Sequence, residues 1–216
     1  MIEITPTILT SSKQEFEERL SKISGLVERI QVDVIDGIFT DNKTVDLDEV
    51  SRAGFRGKID FHLMVLEPIN WIEKSAKFGA DFLIGHIEKM KNQLGFVRQV
   101  KEAGMKVGLG LDLGTKIEEV DRSLWSQLDG VLIMSVKTGF SGQKFQERAF
   151  ELIKRVREIK KNLDLDFDII VDGGVNLENA KKVVEAGANV LAMGNAIWEA
   201  EDIKERIKDL RVEIEK

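Results

Sequence analysis

The sequence predicts a single-domain α/β fold, a (β/α)8 barrel, and three observations carry that expectation. Eight short apolar segments recur along the chain, helical periodicity lies between them, and a glycine repeatedly marks the step from helix to strand. The glycine step is plainest in Ala76-Lys77-Phe78-Gly79-Ala80 before Asp81, Lys101-Glu102-Ala103-Gly104-Met105 before Lys106, and Val184-Glu185-Ala186-Gly187-Ala188 before Asn189. A glycine just past a helix end takes up the left-handed conformation that stops the helix, so the chain turns directly into a strand. Repeated units of this kind build a parallel sheet, and eight of them fit a closed barrel better than an open one. One domain over residues 1–216 is near the lower end of the size range for such a barrel.

In chain order, the strands are expected at Glu3–Ile8, Arg29–Ile35, Ile59–Val65, Asp81–Ile87, Lys106–Leu111, Gly130–Ser135, Asp168–Asp172 and Asn189–Met193. The clearest intervening helix places Ala149, Leu152, Ile153, Val156 and Ile159 on one face. No GxGxxG follows a strand, which removes the dinucleotide-binding fingerprint.

Composition excludes several function classes. With 43% hydrophobic and 32% charged residues, the chain reads as a folded globular protein. A net charge of −6 argues against nonspecific nucleic-acid binding but leaves room for an anionic ligand, because backbone N–H groups can hold phosphate. The absence of cysteine rules out disulfides and thiolate metal sites and is compatible with a cytoplasmic location. Met1-Ile2-Glu3-Ile4-Thr5-Pro6 does not resemble a signal peptide, and no apolar run reaches membrane-spanning length, so neither membrane nor nucleic acid is expected as a partner.

Strand alternation sorts the polar residues. Ile30, Val32 and Val34 point one way, and Gln31, Asp33 and Ile35 the other; Ile59, Phe61 and Leu63 oppose Asp60, His62 and Met64; Asp168, Ile170 and Asp172 share a face. In a barrel the apolar face packs on the helices and the mixed face lines the interior. Asp33, His62 and Asp172 then converge near the C-terminal ends of their strands, where barrel enzymes place their sites. Either aspartate alone could simply hold a loop, and His62 alone could be a satisfied core histidine. Three together are costly to bury uncompensated, and a divalent metal such as zinc, manganese or iron would compensate them. Met64 and Met134 project towards the same mouth, as core filler or as an apolar cover for a charged intermediate. Small residues close three consecutive strands: Gly139-Phe140-Ser141-Gly142, Gly173-Gly174 and Gly194-Asn195. The loops after the last two strands of a barrel are a frequent phosphate site.

These segments resemble the ribulose-phosphate 3-epimerase family over nearly the whole length. The resemblance rests on Thr5-Pro6-Thr7-Ile8-Leu9, Val32-Asp33-Val34-Ile35-Asp36-Gly37, His62-Leu63-Met64-Val65, Met134-Ser135-Val136 with Gly139 to Phe145, and Val171-Asp172-Gly173-Gly174-Val175. It implies a TIM barrel that interconverts ribulose 5-phosphate and xylulose 5-phosphate, with Asp33 and Asp172 as the proton-transferring pair. It also implies a divalent metal on Gln31, Asp33, His62 and Asp172 that stabilises the enediolate, and a substrate pocket including Thr7, His62, Met64 and Met134. The phosphate would lie against Gly142, Gly173, Gly174, Gly194 and Asn195, beside Gly139, Phe140 and Ser141. Barrels of this family often form oligomers, so a homo-oligomer is compatible with the resemblance.

Departures from the family pattern define the alternatives. Gln31 stands where the family carries a metal-ligating histidine, Thr7 where it has serine, Ile35 where it has methionine, and Thr40-Asp41 and Lys137-Thr138 depart in two loops. The altered loops motivate a 3-epimerase of a hexulose 6-phosphate, and Gln31 motivates a barrel that binds sugar phosphate without turning it over. A related barrel decarboxylase would need a lysine within the run Asp33-Val34-Ile35-Asp36, which has none.

Overall fold

The strands are buried on both faces, and alternate side chains along them join two different cores. Ile30, Val32 and Val34, with Ile59, Phe61 and Leu63, join the large core under the helices; Phe82, Ile84, Leu132, Met134, Ile170, Val190 and Ala192 form a second core within the barrel. The computed structural model describes residues 2–52 and 54–216. Its strands are β1 (Glu3–Ile8), β2 (Arg29–Ile35), β3 (Lys58–Met64), β4 (Phe82–His86), β5 (Lys106–Leu111), β6 (Gly130–Met134), β7 (Asp168–Asp172) and β8 (Val190–Met193). All neighbours are parallel, and β8 pairs back onto β1, which closes the barrel. The expected strand ends at Val65, Asp81, Ile87, Ser135 and Asn189 fall one residue outside the observed strands, the usual fraying of such boundaries.

The helices are α1 (Lys13–Ile23), α2 (Ile72–Phe78), α3 (Gln93–Glu102), α4 (Ala149–Asn162), α5 (Ala180–Ala186), α6 (Asn195–Trp198) and α7 (Ile203–Glu215). In α4 the predicted stripe buries Ala149, Ile153 and Val156, with Leu152 and Ile159 packed at its margin. Gly79, Gly104 and Gly187 follow helices at φ 91°, 80° and 136°, as the glycine steps require. Two crossovers differ from the expectation that helix lies between every pair of strands. Among the described residues, 36–57 form no helix; Asp36 and Asp46 accept hydrogen bonds from nearby backbone N–H groups, which favours turns, and Val45, Leu47, Val50 and Phe55 cover the barrel instead. Between β5 and β6 there are only the 3-10 turns Ile117–Glu119 and Arg122–Gln127.

Register sets the two ends of the interior. At the base, Arg29 reaches Asp60 at 2.6 Å, Glu3 at 2.7 Å and Asp168 at 3.1 Å, and lies over the Phe82 ring. At the mouth, Asp33 stands opposite His62, and Asp172 opposite Met134 and Ala192. No helix among the described residues is long and apolar enough to cross a membrane.

Candidate active site

Four inward side chains meet at the floor of the mouth. Gln31, two residues before Asp33 on β2, turns its amide nitrogen to Asp33 Oδ1 at 2.9 Å, Asp172 Oδ2 at 2.5 Å and His62 Nδ1 at 3.3 Å. His62 Nδ1 also lies 2.9 Å from Asp33 Oδ1 and 3.3 Å from Asp172 Oδ2. Two carboxylates, an imidazole and an amide are thus buried in one knot, and its charges shift accordingly. Burial raises the Asp33 pKa, and the charge of Asp172 raises it further, against the hydrogen bonds from His62 and Gln31. Burial alone would lower the His62 pKa, but hydrogen bonds to Asp172 and Asp33, and their charges, push it up to about 9.

Asp33, His62 and Asp172 can each turn one ligand atom to a common point, since these atoms lie within 4.8 Å of one another. The set fits a divalent metal chemically: two hard carboxylates and one imidazole nitrogen are ordinary ligands. Gln31 fits less directly. The amide nitrogen donates into the cluster, and only its carbonyl oxygen could bind a cation, so the amide would have to turn over.

Above the knot opens a cavity of about 750 Å³. Its wall contains Thr7, Met64, Met134, Gly139, Phe140, Ser141, Gly142, Gly173, Gly174, Gly194 and Asn195 together with Asp33, His62 and Asp172, so every expected site residue except Gln31 lines it. Gln31 is buried and touches three of the lining residues, Asp33, His62 and Asp172. Gly142, Gly173 and Gly174 have φ of 75°, 110° and 64°, and a Cβ on Gly174 would collide with the backbone of Gln143 to Phe145. Glycine there lets two loops run against each other along the cavity wall. Trp198 also lines the cavity and donates from Nε1 to the Thr7 carbonyl at 2.6 Å.

Three of these features went unread in the sequence. Arg19, Lys144 and Arg206 line the cavity beside Glu178 and Glu199; they sit on helices and a loop, where charge is common and carries no positional signal. His86, at the end of β4, places its Nε2 2.8 Å from His62 Nε2. Glu88 lies 2.9 Å from His86 Nδ1. A signal for His86 was present: period-two spacing puts Phe82, Ile84 and His86 on one face of a strand.

Comparison with known proteins shows the family. Residues 3–198 match the model of the ribulose-phosphate 3 epimerase family. This chain belongs to that family. It is similar to ribulose-phosphate 3-epimerase of Bacillus subtilis, 35% identical over 98% of this chain and 99% of that one. The Aquifex aeolicus protein of the same name is 33% identical over 96% and 95%. The chloroplastic ribulose-5-phosphate-3-epimerase of Arabidopsis thaliana is 35% identical over 97% and 76%. Membership makes the chain an enzyme of the epimerase kind. Among solved structures, 3-hexulose-6-phosphate synthase from Salmonella typhimurium aligns at TM-score 0.74 and 17% identity over 99% and 98% of the two chains. KGPDC from Streptococcus mutans aligns at 0.77 and 11% over 99% and 97%. At those identities the likeness shows the barrel alone.

Proposed function

We propose that this family member interconverts D-ribulose 5-phosphate and D-xylulose 5-phosphate by moving a proton at C3 between Asp33 and Asp172. The observation that carries the reading is the buried approach of these two carboxylates, from β2 and β7, to one point under the cavity. Inversion at carbon needs one ionised carboxylate to take the proton and one protonated carboxyl to return it on the other face. Two acids sharing a buried site tend to hold one proton between them, because the second ionisation is opposed by the first. The raised Asp33 pKa has that cause in part, and a base with a raised pKa is better matched to proton abstraction near neutral pH.

Asp33, His62 and Asp172, with the Gln31 carbonyl after its amide has turned, would hold a divalent metal, with zinc, manganese and iron the candidates. Bound there, it would supply Lewis-acid stabilisation of the negative charge that develops on the sugar oxygens beside C3. Met64 and Met134 keep apolar surface over the acids. The Gly142, Gly173, Gly174, Gly194 and Asn195 backbone, with Arg19, Lys144 and Arg206 nearby, receives the phosphate.

The test is NMR of ribulose 5-phosphate in D2O with the folded protein, alone and with Zn2+, Mn2+ or Fe2+. Loss of the C3 proton signal with growth of xylulose 5-phosphate is expected. No exchange under any metal would sink the reading and leave a sugar-phosphate-binding barrel. The loops that depart from the family meet at the rim, where the Asn42 amide donates to the Gly139 carbonyl at 2.6 Å. A hexulose 6-phosphate is the second substrate to try, and a strong pentulose preference would remove it.

A further inference from the structure

His86 and Glu88 are buried polar groups that the proposed proton transfer does not use. The chain has only two histidines, and they touch: their rings stack with centroids 5.0 Å apart and their Nε2 atoms are 2.8 Å apart. A contact that short between two ring nitrogens holds a proton, and which ring owns it decides which face of His62 is left for the acids. Glu88 settles the ownership. Its Oε1 accepts from the Asp112 N–H at 2.7 Å and from the Thr115 hydroxyl, while Oε2 faces His86 Nδ1 at 2.9 Å. A carboxylate supplied with donors in this way stays ionised and only accepts, so His86 Nδ1 must donate to it.

With Nδ1 donating to Glu88, His86 turns Nε2 to His62 as an acceptor for the shared proton. We infer that Glu88 and His86 are positioning residues that keep His62 protonated at Nε2 and so present its Nδ1 to Asp33 and Asp172. The surroundings hold the relay in place. Phe39 packs against the His86 ring at 5.1 Å, and a Cβ on Gly110 of β5 would come within 2.9 Å of it, so β5 gives up a side chain to make room. A ligating or proton-bearing imidazole is commonly oriented through its far nitrogen in this manner, and loss of such a partner weakens metal binding by about 10–100-fold. The consequence for turnover rests on the proposed epimerase chemistry; the position of the proton does not.

The experiment uses the full chain with 15N-labelled histidine. Two-dimensional 1H–15N spectra that correlate ring nitrogens with ring carbons' protons report the state of each nitrogen, in EDTA and with zinc. His62 Nε2 is expected to carry a proton in both. A His62 bare at Nε2 and protonated at Nδ1 overturns the inference, whatever the metal does. Two variants then separate positioning from packing. His86→Gln keeps an acceptor near the place of Nε2, whereas His86→Phe keeps a ring but offers none. The glutamine variant should retain the Nε2 proton and most zinc affinity. The phenylalanine variant should lose about 10–100-fold in zinc affinity and lower kcat with KM unchanged. Equal behaviour of the two, or better behaviour of the phenylalanine variant, means that the ring only fills space and the inference falls. If the phenylalanine variant does not fold, the wild-type spectrum still decides. A wild type that shows the Nε2 proton but binds no zinc supports the relay and removes the metal from the proposed function.

Discussion

At the base of the barrel, Asp60 meets the Arg29 guanidinium at 2.6 Å; at the mouth, further along the same strands, Asp33 and Asp172 meet a histidine and an uncharged amide. Both ends bury carboxylates from β2, β3 or β7, and both are supplied by inward positions of the pleat. The difference lies in what neutralises them. Arg29 carries a permanent charge in a rigid fork, touches Glu3 and Asp168 as well, and leaves nothing for a ligand to do. At the mouth, His62 is the potential cation in contact with both acids, and the cavity above stays open. An arrangement that is costly for stability persists where a substrate or metal can complete it.

The largest effect that tests this contrast is on rate. Asp172→Asn should lower C3 exchange by about 10²–10⁴-fold, the usual weight of a positioned acid or base. Its melting temperature should hold or rise, because one of two facing charges has gone. Exchange by NMR and thermal unfolding on the same sample check both halves. A folded variant with wild-type exchange would take the mouth out of the chemistry.

Arg29→Met should do the reverse. Removing one partner of a buried pair leaves Asp60 uncompensated and should cost about 3–5 kcal/mol in urea denaturation. The fraction that remains folded should keep its kcat. A variant that stays stable but loses turnover would mean that the base is coupled to the reaction and that the two ends are not separate.

How much of this was visible beforehand follows from what each pattern encodes. The glycines at 79, 104 and 187 and the apolar alternation of β2 and β3 state their structure locally, so the repeated β-α units and the inward set Asp33, His62 and Asp172 are legible directly, whereas closure of the barrel depends on β8 pairing with β1, which no local pattern states. The absence of helix among the described residues of 36–57 was not legible, because Val45, Leu47, Val50 and Phe55 are buried by tertiary contact rather than by a helical period. The neighbours of His62 were half legible. Alternation marks the inward face of β4, but which strand ends touch depends on barrel stagger, and Glu88 lies beyond the strand in a short 3-10 turn. The amide direction of Gln31 depends on the two carboxylates and His62 together, which no spacing reveals.

A smaller effect should appear in metal-free protein as a dependence of stability on pH. The folded His62 pKa, about 9, lies above its ordinary 6.5, so its stabilising contribution is complete below about pH 6.5 and is lost as pH rises through about 9. Asp33, also raised, acts with the same sign, since its ionisation is harder in the folded state. Melting temperature in EDTA should therefore fall between about pH 6.5 and about pH 9. His62→Gln should flatten that fall, and a rise over the window in the wild type would contradict the charge arrangement assigned to the mouth.

The finest test concerns Gln31, which makes the mouth self-sufficient to a degree. Its amide nitrogen lies in the acids' field, donates to both of them and touches His62 Nδ1, so a cation arriving there must displace donors that are already satisfied and wait for the carbonyl oxygen to turn inward. An imidazole in place of that amide presents a nitrogen lone pair without donating to both acids. Gln31→His should accordingly bind zinc about tenfold tighter, ~1.4 kcal/mol, in competition with a chromophoric chelator. Manganese should gain less, because it favours oxygen over nitrogen ligands. In EDTA the same variant should melt lower than the wild type, since the two hydrogen bonds from the amide to the acids are gone. If zinc affinity and metal-free stability both stay unchanged, the amide neither fills the cation's place nor steadies the acids, and the mouth differs from the base only in lacking an arginine.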